Sequence, residues 1–144
     1  MRDGNESYLL GHEPLHLPVG RHGEFSRKVQ RLRRSMLTRG DQLLTSTLTL
    51  GEILVKPTEA SKSELCGRYE DALSATSQLI PFDVKAAKLY AALRRDRSLR
   101  APDAIQLACA AGAGTDMFIT NDTRLQGKHV AGIHFIVSLD QAPI

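Results

Sequence analysis

The sequence predicts an α/β domain in which a parallel sheet is covered by helices on both faces, with no central strand in residues 11–23. Three observations predict it. From residue 24 onward, short apolar runs alternate with segments of helical periodicity, the pattern of strands joined by helical crossovers. The chain has 144 residues, 42% of them apolar and 24% charged, which suits one soluble domain able to bury a core. Residues 11–23 hold Pro14, Pro18 and three glycines and cannot fill a central strand, because proline lacks the ladder donor.

The elements follow in order. Residues 1–23 read as irregular and 24–144 as the folded domain. Residues 24–39 read as a helix with Phe25, Val29, Leu32 and Met36 on one face and Gly40 ending it. QLLTST (42–47) reads as a strand, followed by a helix from Thr49 that stops before Pro57. Residues 61–75 form an amphipathic helix with Leu65, Tyr69, Ala72 and Leu73 inward. QLIPF (78–82) is a short strand, and residues 84–96 a helix with Ala86, Leu89, Tyr90 and Leu93 on one face. Pro102 opens the next helix at a favoured first-turn position, and Gly112 closes it. MFIT (117–120) is a strand, 122–126 a helical turn, and IHFIV (133–137) the last strand.

No apolar run approaches the roughly 20 residues that span a bilayer, and MRDGNESYLL lacks the order of a signal peptide. Cys66 and Cys109 form no metal-like cluster, so a reduced, cytoplasmic protein is expected. The five histidines suggest no metal site; Pro14 stands between His12 and His16. The net charge of +3 is uneven: residues 21–39 hold seven basic residues against Glu24, a net +6, so the remainder sums to −3. A second cluster is Arg94, Arg95, Arg97 and Arg100. A single patch of this kind is usually a solvated helix face. Patches around a core that also presents carboxylates favour a phosphate backbone as partner.

Three carboxylates stand out, each with an ordinary structural explanation. Glu52 closes Thr49-Leu50-Gly51-Glu52, a capping-box pattern. Asp103 follows Pro102 in a helix's first turn, where negative charge suits the macrodipole. Asp122 follows MFIT and could cap the next turn. Capping does not explain why Glu52 and Asp122 both follow the carboxyl end of a strand, the edge where open α/β sheets bind ligands. Crowded carboxylates repel, and Mg²⁺ or Mn²⁺ takes oxygen ligands of this kind.

On these residues the chain resembles the PIN-domain family, in particular ribonucleases of the VapC-like toxin type. TSTLTLGEILVKP, with Glu52, resembles the second acidic motif; APDAIQLACAA, with Asp103, the third; MFITNDTRL, with Thr120, Asn121 and Asp122, the fourth. The resemblance covers about residues 24–140, and the order and spacing of the motifs are what make it specific. It implies a PIN-like sheet and an Mg²⁺- or Mn²⁺-dependent endoribonuclease. Glu52, Asp103 and Asp122 would hold the metal and do the chemistry, while Thr120 and Asn121 orient them from behind. Arginines of both basic clusters, Arg31, Arg33 and Arg34 foremost, would bind RNA phosphates. The implied partners are RNA, a cognate antitoxin protein and a second copy of the chain in a homodimer, with no membrane.

Against the sheet that the resemblance implies, the first strand is missing or replaced. PIN domains open with an apolar strand ending in Asp-x-Asn, which supplies the first acid. That position falls near Gly11 or His12, and only Met1 and Arg2 precede the similarly spaced Asp3 and Asn5. Permitted codons for Asn5 to Arg21, read one base on, spell MKVICWDTNLFIYLLE: an initiator, an apolar strand, Asp-Thr-Asn and a helix. Residues 1–23 are therefore expected to be an out-of-frame reading of an ordinary PIN start. SYLL (7–10) can pair in the strand's place but brings no acid. The competing reading is a catalytically impaired PIN fold that binds RNA or an antitoxin. A basic DNA-binding domain is disfavoured, because neither a helix-turn-helix nor a zinc spacing occurs.

Overall fold

A computed structural model describes residues 7–10, 23–120, 122–138 and 140–142. Its elements are β1 (Ser7–Leu10), α1 (Gly23–Arg39), β2 (Gln42–Ser46), α2 (Thr47–Glu59), α3 (Ser63–Thr76), β3 (Gln78–Ile80), α4 (Val84–Leu93), α5 (Ala101–Gly112), β4 (Met117–Ile119) and β5 (Phe135–Val137). The strands form one sheet in the order β3-β2-β1-β4-β5, and every pairing is parallel. The chain steps from β1 outward through β2 to β3, then crosses back to β4 and β5. The order therefore reverses between β1 and β4, which makes the crevice at their carboxyl ends the favoured ligand site.

Alternation along the strands divides the interior into two layers. On β4, Met117 and Ile119 pack with Leu32 and Met36 of α1. Phe118, between them, joins Leu44 of β2, Leu107, Ala110 and Ala111 of α5, and Ile136 of β5. Helix α5 is the most buried helix, with Ala104 and every residue from Gln106 to Ala111 inside. Its C-terminal half is held by a close backbone approach. Gly132 has φ +94°, and a Cβ there would lie 2.8 Å from the Ala111 carbonyl oxygen, so only glycine fits. Burial pushes the Cys109 thiol up to about 11, leaving it an inert core residue.

The predicted elements all occur, with the strand expected at 78–82 ending at Ile80, other boundaries moved by one or two residues, and four further differences. Residues 1–23 are not wholly irregular, because Ser7–Leu10 is the central strand, paired with β2 and β4. It replaces the missing first strand, so its neighbours are not left unpaired. The rest of that segment, residues 1–6 and 11–22, lies outside the described residues. Helix α2 starts at Thr47 with Ser46 as N-cap and runs through a buried Pro57 to Glu59. That proline forfeits one donor near the helix end, a small loss compared with the burial it gains. Helix α4 stops at Leu93, where the ladder tightens into i→i−3 turns, the Arg95 and Asp96 amides donating to the Ala92 and Leu93 carbonyls, and the Arg94 guanidinium donates to the Leu99 carbonyl at 3.0 Å. The last strand is confined to Phe135–Val137, preceded by the turn at Gly132.

Candidate active site at the carboxyl edge of the sheet

Three acids 51 and 19 residues apart in sequence meet because each follows an element that ends at the same edge. Ser46 ends β2, and Glu52 stands in the second turn of the helix that starts there. Ile119 ends β4, and Asp122 lies in the turn after it. Asp103 sits in the first turn of α5, after Pro102. All three line one cavity of about 240 Å³, with Arg100, Gln106, Thr120 and Arg124 beside them and Phe118 and Leu125 as its apolar floor.

The ordinary explanations divide. Glu52 is not a capping-box residue, because the helix begins before Thr49 and the Thr49 side chain is engaged elsewhere. Asp103 does occupy the first turn of α5. Asp122 accepts the Arg124 amide at 2.9 Å and so closes a tight turn, while it also faces the cavity. The buried Thr120 hydroxyl accepts the Asp122 amide at 3.0 Å, which fixes the backbone that carries the carboxylate. Asn121 lies outside the described residues.

A buried side chain ties the two acid-bearing helices together. Gln106, one turn after Asp103, accepts from the Ser46 hydroxyl at 2.8 Å and donates to the Thr49 hydroxyl at 2.7 Å. Ser46 and Thr49 bound the first turn of α2, and Glu52 follows one turn on. Gln106 thus fixes α5 against α2 at the level of the acids. A glutamine within the otherwise apolar run IQLACAA was the available sequence signal, since a buried amide must be bonded at both ends.

Arg124 is the second residue that motif spacing did not single out. Its Nε donates to Asp122 Oδ1 at 2.9 Å and its Nη2 to Asp122 Oδ2. The same Nη2 stands 3.9 Å from Asp103 Oδ2. The Arg124 guanidinium, with Arg100 nearby, holds the Asp122 carboxyl below the usual carboxylate range. Of the second basic cluster, only Arg100 reaches the cavity. Asp96 in the same loop is clipped by Lys128 at 2.8 Å and by Ser98, which takes its carboxyl down to about 2. Arg31, Arg33 and Arg34 are exposed on α1 and do not line the cavity. His129 and His134 are exposed; His12, His16 and His22 lie outside the described residues.

Among the described residues, no group of three or more His, Cys, Asp and Glu side chains is close enough to enclose a metal ion. The donor set nevertheless fits a hard divalent cation. Asp103 and Asp122 already share one cation, the Arg124 guanidinium, and all three acids offer only oxygen. Mg²⁺ is typically held by one or two carboxylates and completes its shell with water and substrate phosphate.

A family model described as the PIN domain matches residues 19–130. Among solved structures, a VapBC2 complex from Rickettsia felis, bound to a DNA fragment from its promoter, superposes with a TM-score of 0.68 at 16% identity, covering 92% of this chain and 98% of that one. A toxin-antitoxin complex from Klebsiella pneumoniae gives 0.63 at 26% identity, covering 88% and 94%. VapBC-5 from Mycobacterium tuberculosis gives 0.57 at 20% identity, covering 92% and 98%. A comparison with curated protein sequences gives no match.

Proposed function

The chain belongs to the PIN-domain family, and from that premise we propose that it is a metal-dependent endoribonuclease of the toxin type, restrained by a small antitoxin protein. The observation that carries this reading is the convergence of Glu52, Asp103 and Asp122 on one cavity at the switch point of a parallel sheet. Structural likeness to chains from toxin-antitoxin complexes supports an antitoxin as partner; pairing with a second copy of the chain belongs to the same proposal. No helix among the described residues is long and apolar enough to cross a membrane.

In this reading Glu52, Asp103 and Asp122 would together hold Mg²⁺ or Mn²⁺. When bound, such an ion supplies an activated water and stabilises the leaving oxygen in phosphodiester cleavage. Thr120 keeps Asp122 in place through its amide, and Gln106 sets the separation of Asp103 from Glu52. Arg100 offers a guanidinium to the phosphate at the cavity mouth, and Arg31, Arg33 and Arg34 hold the backbone farther along.

The test is Mg²⁺-dependent cleavage of RNA, abolished by EDTA, together with calorimetric Mn²⁺ titration. Glu52→Gln, Asp103→Asn and Asp122→Asn are each expected to weaken Mn²⁺ binding by at least roughly 10-fold while melting near the parent temperature. Were the acids only structural, each change would lower stability by about 1 kcal/mol and leave Mn²⁺ affinity unchanged. Unchanged affinity in all three defeats the metal site. RNA binding without cleavage in any metal would make the chain a binding module instead.

A further inference from the structure

We propose that Arg124 is an internal counter-ion that gives way to the divalent cation and then grips the RNA phosphate beside the cut bond. The inference rests on the metal-dependent reading above. Asp122 Oδ1 accepts the Arg124 amide and Nε, its Oδ2 accepts Nη2, and Nη2 also lies 3.9 Å from Asp103 Oδ2. The guanidinium therefore engages the oxygens that a metal ion would need. Carboxylates that share one guanidinium repel each other when it leaves, so a cation between Asp103 and Asp122 is favoured. Arg124 supplies one charge there, and a divalent ion supplies two on a smaller radius, so the ion takes the oxygens and the guanidinium must find another anion.

The geometry limits where it can go. Arg124 is tethered by a turn of two residues to Asp122, and the next residue, Leu125, is buried in the cavity floor. Its side chain is half exposed, with relative accessibility of 50%, so it can swing without leaving the mouth. Arg100 lines the same cavity. A divalent ion leaves one negative charge among the three lining carboxylates against two guanidinium groups, so the cavity then presents a net positive charge to an arriving phosphodiester. The planar fork suits two phosphate oxygens at once. The exchange keeps the acids from repelling RNA before the metal arrives and gives a phosphate grip only afterwards.

The experiment uses the full chain, Arg124→Gln and Arg124→Lys. Both variants should fold, because the turn is closed by the backbone amide and not by the side chain. Without RNA, Arg124→Gln is expected to bind Mn²⁺ roughly tenfold more tightly in calorimetry, since its internal competitor is gone; tenfold corresponds to about 1.4 kcal/mol. Affinity for a 2′-O-methyl RNA oligonucleotide is then measured across salt concentrations, in Mn²⁺ and in EDTA. In Mn²⁺ the slope of log affinity against log salt is expected to be shallower by about 0.7 in Arg124→Gln, the share of one single-strand phosphate. In EDTA the slopes should coincide, because Arg124 then stays on the carboxylates. Arg124→Lys should keep the parent slope in Mn²⁺. Equal or weaker Mn²⁺ binding by Arg124→Gln, or identical slopes in Mn²⁺, overturns the exchange alone. Failure of the parent and both variants to bind Mn²⁺ overturns the metal-dependent reading with it.

Discussion

Helix α1 and the acid-lined cavity both carry arginines, and the two regions use them in opposite ways. On α1, Arg31, Arg33 and Arg34 point to solvent while Leu32 and Met36 of the same helix are buried against Met117 and Ile119. Their charge is concentrated and exposed, and none of the three lines the cavity. In the cavity, Arg124 is bonded to Asp122 and close to Asp103, and Arg100 stands beside them. A run of like charges is conspicuous in a sequence, but it can give only long-range, sequence-independent attraction. Chemistry needs opposite charges brought into contact, and contact depends on which strand ends share an edge.

The largest effect should come from changing what the cavity lacks. β1 lies between β2 and β4, the strands that lead to Glu52 and Asp122, so an acid just after Leu10 would enter the same edge. The out-of-frame start places its strand and its Asp at that position. A variant chain beginning MKVICWDTNLFIYLLEG, joined before Glu24, is expected to raise Mg²⁺-dependent RNase activity by more than roughly 10²-fold, since even residues behind a metal ligand contribute 10–100-fold. The melting temperature should rise far less, because Ser7–Leu10 already pairs on both sides. Equal RNase activity in both chains would remove the importance given to the first acid. A locus without the hidden frame would remove its proposed origin.

A smaller effect should separate position from presence. Gln106→Ala leaves every acid in place but removes the amide that joins Ser46 and Thr49 to α5. Two hydroxyls in a buried site lose their partner, at a cost of roughly 1–3 kcal/mol, visible in a thermal melt. Mn²⁺ affinity should also fall, because the separation of Glu52 from Asp103 is no longer set. Gln106→Glu, which keeps the acceptor, should recover part of the melting temperature but add a charge to the cavity. A stability loss with unchanged Mn²⁺ affinity would make Gln106 a core residue only.

The same contrast explains what was legible in the sequence. Element types and most boundaries followed from periodicity, because each strand and helix presents a local apolar pattern. Glu52, Asp103 and Asp122 could be picked out because motif order and spacing are properties of the chain itself. The approach of Arg124 to Asp103, 21 residues away in the chain, and the role of Gln106, whose partners lie 57 and 60 residues away, depend on packing between elements, which no local pattern encodes. The end of α4 was misplaced for a related reason. Arg94 and Arg95 continue a helical pattern, but the backbone tightens there into i→i−3 turns and leads into the loop that carries Arg100 to the cavity.

The smallest effect should come from the most conspicuous charges. Replacing Arg31, Arg33 and Arg34 together with Gln removes three exposed cations from one face of α1 and touches no described contact of the cavity. Stability should change little, because the buried face, Leu32 and Met36, is untouched. If these arginines bind RNA, they do so through phosphates, so affinity should fall alike for oligonucleotides of different sequence. The slope of log affinity against log salt should flatten by up to about 2, from roughly 0.7 for each single-strand phosphate released. Mn²⁺ affinity should stay at the parent value, in contrast to every change made in the cavity. An unchanged salt slope would show that α1 faces another partner, for which the acidic part of an antitoxin is the first to test. A change in sequence preference would instead bring the helix close to the bases and erase the distinction between the two arginine-bearing regions.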